Sequence, residues 1–106
     1  MGMVKRFDVY LVSLDPTQGS EIKKARPCVV LSPNEMHSLN TVIVAPMTTK
    51  VKTYPTRIPV FFNKKHGFIV LDQIRTVDKT RFIQFLGQID SIQGNEALKI
   101  LQEMFT

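Results

Sequence analysis

The sequence predicts one mainly β domain finished by a single C-terminal helix, on three observations. Short runs of β-branched and aromatic residues recur along the chain, separated by turn-forming residues. The apolar period lengthens to that of a helix only in the tail. A chain of 106 residues is enough for one domain, which should bury roughly two-thirds of its unfolded surface.

Phe7 to Leu14 reads as the first strand. Asp15-Pro16-Thr17-Gln18-Gly19-Ser20 carries turn signals in succession, and residues 15–25 read as one mobile loop. Loops on a rigid scaffold often carry function. Cys28-Val29-Val30-Leu31 reads as a buried second strand opened by Pro27, since a strand's first residue need not donate to the ladder. Pro27 also pushes Arg26 into an extended conformation. A polar connection over 33–40 leaves room for one helical turn, and the third strand covers about 41–47. A basic loop runs from Lys50 to Pro55. Thr56 to Phe62 alternates, with Thr56, Ile58, Val60 and Phe62 on one face, and Pro59 marks an edge or a bulge. Asn63 to Gly67 reads as a turn, Phe68 to Asp72 as the next strand, Ile74 to Val77 as its extension across a bend, and Arg81 to Gly87 as the last strand. In the tail Asp90 is an N-cap with Gln93 three residues on, as in a capping box, and Ala97, Leu98, Leu101, Met104 and Phe105 share a helical face. Six or so short strands closed by one helix indicate a small twisted barrel of the SH3 kind over residues 1–106.

With 43% hydrophobic and 22% charged residues, the composition is that of a soluble globular protein. No apolar run approaches the roughly 20 residues needed to span a bilayer. The first residues lack the apolar core of a signal peptide, and the single cysteine fits a reducing cytosol, so a cytoplasmic protein away from membranes is expected. Cys28 reads as a small buried hydrophobe rather than a nucleophile. One cysteine and two distant histidines give no spacing for a transition-metal site, so no metal or other cofactor is expected. Fourteen basic against nine acidic residues, a net +5, favour a polyanionic partner such as nucleic acid or an acidic protein segment. Arg26 stands at the lip of a rigid strand, where a guanidinium can grip a phosphate. Thr48, Thr49 and Lys50 end the neighbouring strand with hydroxyls and a cation that complement it.

Several motifs then line up. Asp8-Val9-Tyr10-Leu11-Val12-Ser13-Leu14-Asp15-Pro16, Gly19-Ser20-Glu21, Arg26-Pro27 before Val29-Val30, Val44-Ala45-Pro46-Met47-Thr48 and Asp72-Gln73-Ile74-Arg75-Thr76-Val77-Asp78 occur in order between about Val4 and Gly87. Together they resemble the MazF/PemK toxin family of bacterial toxin–antitoxin systems. The resemblance implies a homodimeric SH3-like barrel that cuts single-stranded RNA at short sequences without a metal, leaving a 2′,3′-cyclic phosphate and a 5′-hydroxyl. It also implies a cognate antitoxin whose acidic, disordered tail occupies the RNA groove. The family's catalytic arginine falls on Arg26, its threonine partner on Thr48, and an aspartate active in some members on Asp72. There are departures: Val70 stands where some members have an arginine, Ser20 where some have a histidine, and Phe7 where a glycine is common.

Cleavage through the ribose 2′-hydroxyl needs a base, charge stabilisation on the phosphate and a proton for the leaving oxygen. Arg26 suits the second as a two-pronged donor and is a poor base. Thr48 can donate its hydroxyl to a phosphate oxygen or merely bond backbone in its turn. Glu21 and Asp72 are the base candidates. Lys23, Lys24, Lys50, Lys52 and Arg57 flank the site as an RNA-backbone track, with Ser20, Thr49 and Gln73 also assigned to RNA binding. Phe61, Phe62 and Phe68 read as core or dimer contacts, and Arg75 with Asp78 as a structural ion pair. Two rivals stand beside the endoribonuclease: a non-catalytic toxin of the same barrel that poisons DNA gyrase, and a non-catalytic nucleic-acid-binding barrel.

Overall fold

The computed structural model describes residues 3–51 and 53–106. Seven strands precede one helix: β1 (Asp8–Ser13), β2 (Ala25–Val30), β3 (Thr41–Thr48), β4 (Arg57–Phe62), β5 (Lys65–Val70), β6 (Arg75–Asp78), β7 (Phe82–Gln88) and α1 (Ser91–Met104). The sheet runs β4-β5-β3-β2-β1-β7, and β6 also pairs with β3. All pairings are antiparallel. The mainly β architecture with one terminal helix agrees with the sequence.

β3 is the spine. One edge carries β2, and the other carries β6 along Thr41–Val44 and β5 at Met47 and Thr48. The expected single strand with an extension over 68–77 is therefore two strands on two halves of β3, joined by a 3-10 turn at Leu71–Gln73. β5 also begins earlier than expected, at Lys65. Asn63 and Lys64 take left-handed φ values of 51° and 62°, so these two residues alone make the hairpin turn. Gly67 lies inside the strand instead of in the turn. A Cβ there would sit 2.6 Å from the Thr48 carbonyl oxygen, so its absence lets β5 close on the end of β3.

β2 is longer than expected, taking in Ala25, Arg26 and Pro27. Its pairing with β3 starts only at Cys28, so Pro27 lies where no donor to β3 is called for. The loop before β2, read as mobile, is fastened at several points. Arg75 and Arg81 donate to the carbonyls of Leu14 and Asp15 at 3.0 and 2.7 Å, and Ile22 N–H donates to Gln73 Oε1 at 2.8 Å. Arg75 thus serves the loop and not Asp78, whose carboxylate accepts the Thr80 N–H at 2.9 Å. The expected Arg75–Asp78 pair is not formed.

Strand alternation fills two cores. Val9, Val29, Ala45 and Met47 join Ile58, Val60, Ile69 and Leu71 beneath α1, which contributes Ala97. Tyr10, Val12, Cys28, Val30, Val44 and Phe82 fill the other side, with the Tyr10 and Phe82 rings stacked at 4.5 Å. Each fully buried aliphatic side chain stabilises the fold by about 1.5–3 kcal/mol. Cys28 is one of these buried groups, and burial pushes its thiol up to about 12, against a smaller opposing influence of the Arg75 charge. It is a packing residue, as expected.

Asp90 caps α1, its Oδ1 accepting the Gln93 N–H at 2.8 Å. Gln93 departs from a capping box: its side chain donates to Asp90 Oδ2 and accepts the Phe61 N–H, each at 2.8 Å, tying the helix start to the outer edge of β4. Leu98, Leu101 and Met104 pack on the core, whereas Phe105 is 74% exposed because it lies past the end of the helix.

Phe7, which replaces a glycine common at this place in the family the sequence resembles, keeps a glycine-like backbone with φ 76°. Its N–H donates to Val30 O at 2.7 Å and its carbonyl accepts from Ile89 at 3.1 Å. The ring lies on Gly94, where an added Cβ would come within 2.5–2.6 Å of three ring atoms. Gly94→Ala therefore sets two effects against each other. Helix propensity favours alanine by about 1 kcal/mol, while overpacking costs about 1–3 kcal/mol. Because the ring is wedged between bonded backbone and helix, net destabilisation is expected in a thermal melt. Adding Phe7→Gly should recover much of that loss, whereas strictly additive losses would contradict the contact.

Candidate active site

Carrying the β2–β3 register two residues beyond the Cys28–Pro46 pair brings Arg26 opposite Thr48. Both side chains line one open groove of about 350 Å³, which has Met47, Val60 and Leu86 in its floor and Thr49, Lys65, His66 and Phe68 along its sides. Arg26 is exposed; its Nε donates to the Lys23 carbonyl at 3.3 Å, which steadies the guanidinium against the preceding loop. Among the described residues its two terminal nitrogens have no partner, so both prongs are available to an anion. Thr48 Oγ1 accepts the Lys50 N–H at 3.1 Å. The hydroxyl thus bonds its own turn and still has its proton to donate. A larger hollow of about 630 Å³ lies over β1 and β7 between Tyr10, Phe85 and Gln88. It contains neither Arg26 nor Thr48.

The two expected bases lie outside that lining. Glu21 is exposed, and its carboxylate accepts the Gln18 N–H at 2.6 Å within the first loop. Asp72 accepts from Thr56 at 3.0 Å and forms an ion pair with Arg57 at 3.3 Å. Partial burial alone pushes the Asp72 carboxyl up, but hydrogen bonds from Arg57 and Thr56, with the Arg57 charge, outweigh it and hold the carboxyl below its ordinary value. A carboxylate so stabilised is a weaker proton acceptor. Because its folded pKa lies below the unfolded one, its contribution to stability is present above the ordinary carboxylate range and lost as pH falls through the folded value. The parent should therefore lose thermal stability below about pH 4 more steeply than Asp72→Asn. Equal slopes would show that the ion pair adds nothing.

The other RNA-binding candidates scatter around the groove. Thr49 lines it; Lys23, Lys24 and Lys50 are exposed in the adjoining loops. Lys52 lies outside the described residues. Arg57 is engaged with Asp72 and lies 5.0 Å over the Tyr54 ring. Gln73 accepts the Ile22 N–H at 2.8 Å and donates to the exposed Ser20's carbonyl at 3.5 Å, fastening the first loop. Phe62 and Phe68 line the groove, while Phe61 is half exposed and lies 4.7 Å from the His66 ring. Asn63, Lys65 and His66 also line the groove, whereas the sequence assigns them to a turn. Gly67 draws the expected turn too far along the chain; the turn is made at Asn63-Lys64, which leaves Lys65 and His66 on β5. Among the described residues no helix is long and apolar enough to cross a membrane.

Residues 5–105 match the family described as PemK-like, MazF-like toxin of type II toxin–antitoxin system. A protein named Endoribonuclease MazF from Staphylococcus epidermidis is 37% identical, covering 92% of this chain and 90% of its own length. One of the same name from Staphylococcus saprophyticus is 40% identical with the same coverage. Among solved structures, MazF (Form-I) from Deinococcus radiodurans superposes with a TM-score of 0.87 at 20% identity, covering 99% of this chain and 98% of the other. An endoribonuclease in complex with its cognate antitoxin from a mycobacterial species gives 0.81 at 22%, covering 96% and 94%.

Proposed function

This chain belongs to the PemK-like, MazF-like toxin family of type II toxin–antitoxin systems and is an endoribonuclease, and from that premise we propose that it cuts single-stranded RNA at a phosphate held between Arg26 and Thr48. The observation that carries this is the register that sets Arg26 opposite Thr48 on one groove. The Arg26 fork binds two phosphate oxygens and stabilises the charge that grows there as the bond breaks. Thr48 O–H donates to the same phosphate. The ribose 2′-hydroxyl is the nucleophile, the products are a 2′,3′-cyclic phosphate and a free 5′-hydroxyl, and no step calls for a metal. Sequence preference comes from bases splayed against the loops around the groove.

The partner we propose is an acidic antitoxin segment that competes with RNA for this groove, on a cytoplasmic, homodimeric toxin. The net charge of +5 and the lysines beside Arg26 favour such a segment, and binding of either ligand should weaken as salt rises. The test is incubation of purified protein with naked RNA in excess chelator, with no topoisomerase present. Cutting with cyclic-phosphate ends is expected. Binding without cutting would favour a non-catalytic barrel, and cutting that returns only on adding Mg²⁺ would overturn the metal-free mechanism.

A further inference from the structure

Attack by a 2′-hydroxyl needs a proton acceptor, and neither Glu21 nor Asp72 lines the groove. The ionisable side chains that do line it are Arg26, Lys65 and His66. Arginine and lysine ordinarily hold their protons at neutral pH, whereas a histidine readily gains and loses one there. We propose that His66 is the general base of this site, taking the proton from the 2′-hydroxyl beside the phosphate that Arg26 and Thr48 grip. The proposal rests on the groove being the RNA-cutting site.

The placement of His66 supports the assignment. On β5 it lies two residues before Phe68, the register partner of Thr48, so it shares that side of the strand. It lines the groove together with Thr48 and Thr49, which end and follow β3. Phe61, its cross-strand partner on β4, packs against the imidazole with ring centroids 4.7 Å apart and a tilt of 49°. The Phe61 backbone is held in turn by Gln93 at the start of α1. The imidazole is thus supported on one side and exposed on the other, and among the described residues no hydrogen bond ties either ring nitrogen. His37 is the opposite case: buried, with one ring nitrogen on Ser32 Oγ at 2.8 Å and the other on the Val4 carbonyl at 2.9 Å. The groups that line a hollow with His66 include Arg26 from β2, Lys65 on its own strand, the Phe61 ring from β4 and the uncharged Gln93 from α1, with the exposed Lys50 following β3 nearby in sequence. Among the described residues no carboxylate lines either hollow that His66 borders.

In the step, the O2′–H proton passes to an imidazole nitrogen while the O2′ electron pair forms the new bond to phosphorus. The P–O5′ bond breaks with its electron pair on the 5′-oxygen, which takes a proton from water. The imidazolium then returns its proton to the hydroxide so formed, and no net charge or proton is gained.

The experiment is single-turnover cleavage by the parent, Arg26→Ala and His66→Gln across pH, each with a thermal melt and with binding to a 2′-O-methyl substrate. His66→Gln should melt and bind like the parent, cut roughly 100-fold or more slowly, and lose the rise in rate with pH that deprotonation of a base produces. A substrate with sulfur as the 5′ leaving atom needs little proton donation, so it should not rescue His66→Gln. Rescue by that substrate would make His66 the acid and overturn the assignment, as would an unchanged pH profile or a loss accounted for by weaker binding. A parent that fails to cut RNA overturns the cleavage reading and this proposal together. A parent that cuts, Arg26→Ala that does not and His66→Gln that cuts normally would remove His66 alone.

Discussion

Arg26→Ala is expected to fold and melt like the parent yet cut RNA at least about 100-fold more slowly. Both halves of that expectation follow from where Arg26 lies. It is exposed two residues beyond the paired part of β2 and β3, and among the described residues the one hydrogen bond of its side chain is to the Lys23 carbonyl. Changes at such positions usually alter stability by no more than about 0.5 kcal/mol. Losing one charge-stabilising donor from a reacting centre typically costs about 100- to 1,000-fold in turnover. Thr48→Ala should act in the same direction. Arg26→Lys keeps the charge but loses the planar fork, so it should restore little.

A single 2′-deoxy nucleotide immediately 5′ of the cut is expected to abolish cleavage at that bond. The nucleophile in this mechanism belongs to the substrate, so removing it leaves the protein intact and the reaction without its attacking atom. No rearrangement of the groove compensates for this, which makes the effect larger than that of any one side chain. The deoxy substrate should still bind, because in the proposed mechanism Arg26 and the loop lysines contact phosphate and not the 2′ position. Efficient cutting of it would mean that water attacks the phosphate directly.

Arg26 and Thr48 are legible in the sequence because each sits at the end of an apolar run, and the ends of adjacent strands come together. The strand character of β1, the alternation of β4 and the Asp90 cap of α1 are legible from equally local signals. The β4–β5 hairpin is not. Gly67 looks like the glycine of a turn, yet the turn is made by Asn63 and Lys64, and Gly67 is small because the Thr48 carbonyl lies against it. That misplacement hides Lys65 and His66, whose approach to Arg26 depends on β5 pairing with β3. Asp72 shows another limit: its motif marks it for chemistry, but the sequence does not reveal that Arg57, assigned to RNA, is its ion-pair partner. Phe7 and Gly94 are 87 positions apart, and only the packing of the helix on the sheet shows that one shapes the other.

That Arg26 and Thr48 act together on one phosphate is tested most directly by a double-mutant cycle. Single-turnover cleavage would be measured for the parent, Arg26→Ala, Thr48→Ala and the double variant, each checked by thermal melt. The expected result is that all four fold and that the double variant is slowed by less than the product of the two single effects, as for groups that serve one reacting centre. A folded Arg26→Ala that cuts at the parent rate, or single effects that multiply without coupling, would contradict it.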